Sequence, residues 1–207
     1  QLKIAIDREG IVTKRTSHAT TEIQSWLTEL RSRKNSTGKL FCNSKQWDMV
    51  KLIADRVCVE LTADPTNADS FGEPLRWLLH GGPGTGKSHI LRIVKDELST
   101  DILQWKMGTE FQIVALQAVM AQLLDGDTIH HALGIPAFGK KDCHLDDIKQ
   151  HLDIEQRVLQ WRWMFIDEIS MVSARLLAEM MLNYAESFET SVLLKVIYLV
   201  RLDHLED

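Results

Sequence analysis

The sequence has no excess of positive charge, no cysteine framework and no apolar run of membrane length. Lys and Arg total 24 against 29 Asp and Glu, a formal net charge of -5. That balance excludes a basic nucleic-acid footprint spread over the surface and confines any such contact to a local groove. Cys42, Cys58 and Cys143 are the three cysteines, widely spaced. An odd, sparse set excludes a disulfide scaffold and fits a reducing compartment. The longest greasy stretch, Val192–Leu202, is too short to span a bilayer and contains Lys195 and Arg201. No secretory signal, internal repeat or low-complexity tract is present. The chain opens on Gln1 rather than Met, as expected of a fragment or a processed product.

What is there suffices for one sizeable core and a small appendage: 207 residues, 44% of them hydrophobic. One signature stands out. Gly81-Gly82-Pro83-Gly84-Thr85-Gly86-Lys87-Ser88 follows the apolar run Leu75–Leu79. Glycines let backbone N–H groups approach phosphate oxygens closely. Lys87 supplies a point charge for the β- and γ-phosphates, and the Ser88 hydroxyl suits a Mg²⁺ ligand. A helix starting here aims its positive end at the same phosphates. The strand before and the amphipathic helix after distinguish this from a bare Gly-rich turn. The implied cofactors are ATP and Mg²⁺.

Elsewhere the pattern predicts a hairpin over Gln1–Arg15, then a helix opened by a capping box from Thr21 to Gln24. Ile23, Trp26, Leu27 and Leu30 line one face of that helix. Arg31–Lys39 reads as a polar, solvated linker. A second helix starts near Ser44, with Trp47, Val50, Ala54, Val57 and Leu61 at helical spacing. Strands are predicted at Leu75–His80, Phe111–Leu116 and Trp163–Ile166. Helices are predicted from Lys87 to about Leu98, over Ala118–Leu124 and Asp146–Leu159, and after a Ser173 cap. Thr128 caps a short turn through His130 and His131. Alternating strands and helices define an α/β fold with a mainly parallel sheet in three layers. Ligands bind such sheets at the carboxyl ends of strands, where Gly81 and Asp167 fall.

Met164-Phe165-Ile166-Asp167-Glu168 is an apolar strand ending on two acids. Asp167 can hold the Mg²⁺ that bridges the β- and γ-phosphates, and Glu168 can orient or deprotonate the attacking water. Paired acids are needed because the metal engages one while the other stays free. Gln46 carries two readings. Its amide matches the N6/N7 edge of adenine, and Asn43 with Gln46 three residues on is also a capping box.

Three stretches together resemble the Pif-one-type DNA helicases: Gly81–Ser88, Asp127–Gly134, and Phe165–Ser173 with its Asp-Glu-Ile-Ser-Met core. Trp77–Gly86 and Phe111–Pro136 are similar to the helicase part of Helitron-type transposons. The resemblance covers about Leu40 to Met180. It implies a RecA-like first motor domain of a superfamily-one, 5′-to-3′ helicase. Such a motor uses ATP and Mg²⁺ on single-stranded DNA and duplex junctions, in repair, recombination, telomere maintenance or transposition. Residue by residue, it implies that Gln46 contacts adenine and that Gly82, Pro83, Gly84, Thr85, Gly86, Lys87, Ser88, Asp167 and Glu168 form the ATP site. It places Thr128 and His130 in a segment that touches the DNA backbone. Residues 1–38 are then an N-terminal extension and linker, 39–185 the RecA-like domain, and 186–207 an atypical tail, in which Val192–Leu202 could form one more strand unlike the family's wording. An intracellular location is expected, the nucleus before the mitochondrion.

The chain departs from that pattern in two places. Leu116-Gln117-Ala118-Val119-Met120-Ala121 stands where the family holds Thr and Gly. After the acidic pair no Gly-Asp and no Gln-Leu-Pro-Pro follow, and no second RecA-like domain is present in the 207 residues. A nucleotide-dependent loader or switch of the AAA+ type, or an inert fragment, are the competing readings. His130-His131 could contact DNA backbone or pack, with metal binding a distant third. Cys143, His144 and His151 match no standard zinc spacing. Trp77, Trp105, Trp161 and Trp163 are expected in the core rather than stacked on bases. Arg31, Arg33 and Lys34 are expected to be solvated, DNA contact being the lesser reading.

Overall fold

The computed structural model describes residues 18–64, 67, 70, 75–82, 84–135, 152–154, 156–180 and 195–201, the last segment for its backbone alone. The hairpin expected near the start, Pro83, Cys143, His144 and His151 lie outside the described residues. The chain divides into two compact units, 1–72 with 89–104 and 73–88 with 105–207.

In the first unit, helix α1 (18–32) buries Ile23, Trp26, Leu27 and Leu30, the face its periodicity predicts. It is already helical at His18, so Thr21 lies inside the helix rather than at its cap. Helix α2 (Ser44–Thr62) opens with the capping box: Gln46 N–H donates to Asn43 Oδ1 at 2.9 Å, and Asn43 N–H to Gln46 Oε1 at 3.0 Å. Its buried stripe is Val50, Ile53, Ala54, Val57 and Glu60, turned from the expected one, with Leu61 half-buried. Glu60 goes under with Arg56 3.4 Å away, which offsets the cost of burying the carboxylate. The Trp47 indole N–H donates to the Leu27 carbonyl at 3.2 Å, joining the two helices.

The stretch expected as a linker is instead folded. Asn35 Oδ1 accepts the N–H groups of Thr37 and Lys39, each at 3.0 Å, and Lys34 bridges Leu40 in antiparallel fashion. Arg33 is only partly solvated: it donates twice to the Glu97 carboxylate, at 2.8 and 2.9 Å, and this partner raises its pKa. Arg31 stacks 4.7 Å from the Trp47 ring centroid.

Helix α3 (Lys87–Arg92) continues into wider, π-type winding over Ile93–Ile102, four residues beyond the predicted end. The Thr100 hydroxyl donates to the Lys95 carbonyl five residues back, at 2.8 Å, as this winding allows. Hydrophobic period does not reveal such a change.

The second unit is built on a parallel sheet of five strands: β1 (Arg76–Gly81), β2 (Phe111–Ala115), β3 (Asp127–Thr128), β4 (Trp163–Asp167) and β5 (Lys195–Arg201). Their spatial order is β1-β5-β4-β2-β3. Strands β2 and β4 are buried at every position, as continuous apolar runs in a parallel sheet should be. Trp161, Val114, Met164 and Ile166 share a core with Ile129 and Leu133 of helix α5 (Ile129–Leu133) and with Leu176 and Met180 of helix α6 (174–180). Helix α4 (Ala118–Gln122) follows β2. Trp161 and Trp163 are core residues as expected, while Trp77 and Trp105 are half-buried.

The tail set apart in the sequence as atypical thus supplies an interior strand. β5 pairs with β1 along its whole length, from Arg76↔Val196 to Gly81↔Arg201, and with β4 from Trp163↔Lys195 to Ile166↔Tyr198. Among the described residues no helix is long and apolar enough to cross a membrane.

Candidate nucleotide site

Parallel pairing brings Gly81, Thr128 and Asp167 to one edge of the sheet. Gly81 ends β1, Asp167 ends β4 and Thr128 ends β3. Ile166, Tyr198 and Leu78 share one row, so Asp167 follows one residue beyond it, two strands from β1. Two strand spacings amount to about 10 Å, room for a phosphate chain and a cation. In the other direction Ala115 pairs with both Asp167 and Thr128, placing the acid and the threonine in one row.

The phosphate loop has the backbone its glycines permit. Gly84 and Gly86 take φ of 74° and 87°, values that side chains with a Cβ rarely adopt. A Cβ at Gly82 or Gly84 would meet nothing within 4 Å. The Thr85 hydroxyl donates to the Gly82 carbonyl at 2.9 Å. The Lys87 ammonium, half-buried, donates to the carbonyls of Gly81 and Gly82. Ser88 is exposed on the first turn of α3.

Asp167 is only 7% exposed. Burial raises its pKa, opposed by the Glu168 N–H, which donates to Oδ1 at 3.1 Å, and by the charge of Lys87. Lys87 and Asp167 follow the carboxyl ends of β1 and β4 in the same sheet. Glu168 adopts φ 52° and ψ 46°, the left-handed region. For a residue with a Cβ this conformation costs about 1 kcal/mol or more, and such strain clusters at active sites. The turn is held by Met171 N–H donating to the Glu168 carbonyl at 3.0 Å. The sequence identifies the acid but contains no signal for its backbone.

The raised pKa has a sign. The folded chain holds a proton on Asp167 to higher pH than the unfolded chain does. Its contribution is most favourable below the ordinary aspartate pKa and is lost as pH rises to the raised native value. Asp167→Asn keeps the shape without the charge. It should melt at a higher temperature than the wild type at neutral pH, and the gap should close in acid below the usual aspartate range. Thermal unfolding at a series of pH values measures this; equal melting at neutral pH would refute it.

Thr128 performs its predicted capping, its hydroxyl accepting the His131 N–H at 3.3 Å. Gly134 closes α5 in the left-handed conformation. His130 is half-buried; His131 is exposed, its Nδ1 held by Asp127. Among the described residues no group of three or more His, Cys, Asp or Glu could hold a metal. In the first unit Gln46 is engaged in its capping box.

A glycine turn with a lysine at the end of one parallel strand, and a buried acid at the end of another, define a phosphate-loop nucleotide-binding domain of RecA-like architecture. Residues 66–184 match the PIF1-like helicase family, more than half of the chain. The chain belongs to that family. No curated protein matches it in sequence. The fold is similar to the crystal structure of Pif1 helicase from Candida albicans, with a TM-score of 0.55 at 20% identity over 77% of this chain and 32% of that one. It is also similar to Pif1 helicase from Bacteroides in complex with ADP-AlF3 and single-stranded DNA, with a TM-score of 0.50 at 19% identity over 77% and 32%. The chain spans about a third of the length of these structures.

Proposed function

We propose that this chain is the first motor domain of an ATP-dependent, 5′-to-3′ DNA helicase acting on single-stranded DNA and duplex junctions. The observation that carries the reading is the glycine turn with Lys87 and the buried Asp167 at the carboxyl ends of two strands, β1 and β4, of one parallel sheet. Lys87 and the loop N–H groups would bind the triphosphate, Ser88 and Asp167 would hold Mg²⁺, and Glu168 would direct the attacking water. Bound Mg²⁺ would neutralise charge developing on the phosphates. The positive-φ glycines Gly84 and Gly86, the lysine that follows them and the buried acid at the end of β4 fit both groups. Gln46 is the proposed adenine contact. Thr128, in one row with Asp167, and His130 are the proposed contacts to a DNA backbone. The nucleus is the proposed location, with the mitochondrion second.

An arginine supplied by a partner domain is worth about 10³–10⁵ in rate for this chemistry. The chain alone should therefore bind MgATP, turn it over slowly and separate no strands. Joined to a second motor domain, its turnover should accelerate with single-stranded DNA. Strand separation by the isolated chain would refute the first expectation. Turnover of the longer protein that ignores DNA and answers to a protein partner would favour a loader or switch.

A further inference from the structure

The segment Asp127–Gly134 carries the proposed DNA-backbone contacts on little structure of its own. Strand β3 is two residues long and joins the sheet through Val114↔Asp127 and Ala115↔Thr128. Helix α5 has five residues, far below the length at which a helix holds itself in water. Its place is therefore set by what grips it. At its entry the Thr128 hydroxyl accepts the His131 N–H, and Asp127 holds His131 Nδ1. At its exit the last carbonyls need partners from outside the helix. The Ile135 N–H donates to the His130 carbonyl at 3.0 Å and the Gly134 N–H to that of His131 at 3.4 Å. The Ala132 carbonyl is met by a residue 25 positions on: Arg157 Nη2 donates to it at 2.9 Å.

Arg157 stands on a firm base. Residues 152–154 and 156–158 are helical. Val158 lies in the core with Ile129 and Leu133, and Ile154 packs against that core. Ile154 Cδ1 is 2.7 Å from where a Cβ would sit on Gly134, so the two segments meet at a close approach. Beyond Val158 the Trp161 indole N–H donates to the Gly108 carbonyl at 2.9 Å and the Arg162 N–H to the Glu110 carbonyl at 2.7 Å, and β4 follows. Arg157 is thus fixed to the sheet behind it and grips α5 in front.

We propose that Arg157 is a positioning residue for the DNA contact: by taking the Ala132 carbonyl it fixes the exit of α5, and with it the place at which Thr128 and His130 meet a phosphate. The inference rests on the DNA contacts proposed for those two residues. Arg157 is half-buried, with Nη2 on a backbone carbonyl and Nε buried, so it acts through α5 rather than as a phosphate ligand. A contact ordered before its ligand arrives avoids the ordering cost at binding.

The test measures the affinity of the full chain for a labelled oligothymidylate, by fluorescence anisotropy over a range of salt, and for MgATP. The proteins are the wild type, R157M and R157K. R157M keeps the stem and removes the donors; it should weaken DNA binding by about tenfold, the scale of one hydrogen bond from a charged group, with MgATP affinity unchanged. The slope of log affinity against log salt should not move. R157K restores a donor and should recover most of the affinity. Should R157M not fold, R157Q, whose amide ends where Nε stands and falls short of the carbonyl, gives the same readout. A slope shallower by about 0.7, the effect of one phosphate charge less on a single strand, makes Arg157 a phosphate ligand and overturns the inference. Equal losses of DNA and MgATP affinity overturn it too, as a general loosening of the sheet unit. R157K no better than R157M points away from the carbonyl bond and overturns it as well. Full DNA affinity in R157M overturns the inference and leaves the proposed contacts standing. A wild type that binds MgATP and no DNA removes the contacts of Thr128 and His130, and the inference with them.

Discussion

Replacing Lys87 with alanine should lower MgATP affinity by about 10²–10⁴, because hydrogen bonds to a charged group contribute about 1.5–3 kcal/mol each and the ammonium can reach two phosphates. The same ammonium holds the carbonyls of Gly81 and Gly82, so the variant also loses a brace on the loop. That brace is at the sheet edge and half-buried, so the cost to folding should stay small beside the cost to binding. Lys87→Arg should not rescue, since a planar guanidinium does not replace a compact point charge on a flexible stem. Removing the ammonium also withdraws one of the two influences that lower the Asp167 pKa, and the acid should then hold its proton to still higher pH. Ligand-dependent melting gives a clean readout. At a nucleotide concentration one hundred times its dissociation constant the wild type gains about 2.7 kcal/mol, and the variant should gain almost nothing. Wild-type affinity in Lys87→Ala would remove the lysine from the site.

A second large effect is expected from β5. A chain ending at Leu194 leaves β1 without its only partner among the described strands, and leaves β4 open on the same side. Each buried backbone group left unpaired costs about 1–3 kcal/mol, and a domain's whole stability is about 5–15 kcal/mol. The sheet unit should therefore lose its cooperative thermal transition, and nucleotide binding should go with it. A milder version is Ile197→Pro. Ile197 pairs with Trp77 on one side and Phe165 on the other, and proline there removes a ladder hydrogen bond from an interior strand. Circular dichroism melting of both variants, with a nucleotide titration, checks the expectation. A truncated chain that binds MgATP like the full one would show β5 to be dispensable.

The parts of the structure legible in the sequence were those fixed by neighbours in the chain. The phosphate loop, the Asp167-Glu168 strand end, the Asn43–Gln46 capping box and the Thr128 cap all depend on residues a few positions apart. The buried faces of α1, β2 and β4 follow from apolar pattern alone. What escaped the sequence was set by distant partners. Arg33 looks like a solvated basic residue until Glu97, 64 positions on, receives it. His89 looks like an ordinary helical residue until Phe41 comes to its ring. Strand β5 has an apolar run but none of the family's wording, and only its pairing on both sides reveals its place. The left-handed Glu168 has no sequence mark, because glutamate is not one of the residues, glycine, asparagine and aspartate, that favour that conformation.

The interior position of β5 also bears on how the protein is made. Gly81 and Arg201 are neighbours in the sheet yet 120 positions apart in the chain. At a synthesis rate of about 5–20 residues per second, the lysine-bearing end of the sheet waits about 6–24 s for its ladder partner to leave the ribosome. During that interval β1 exposes unpaired backbone on the nascent chain, a template for misassembly that a chaperone could shield.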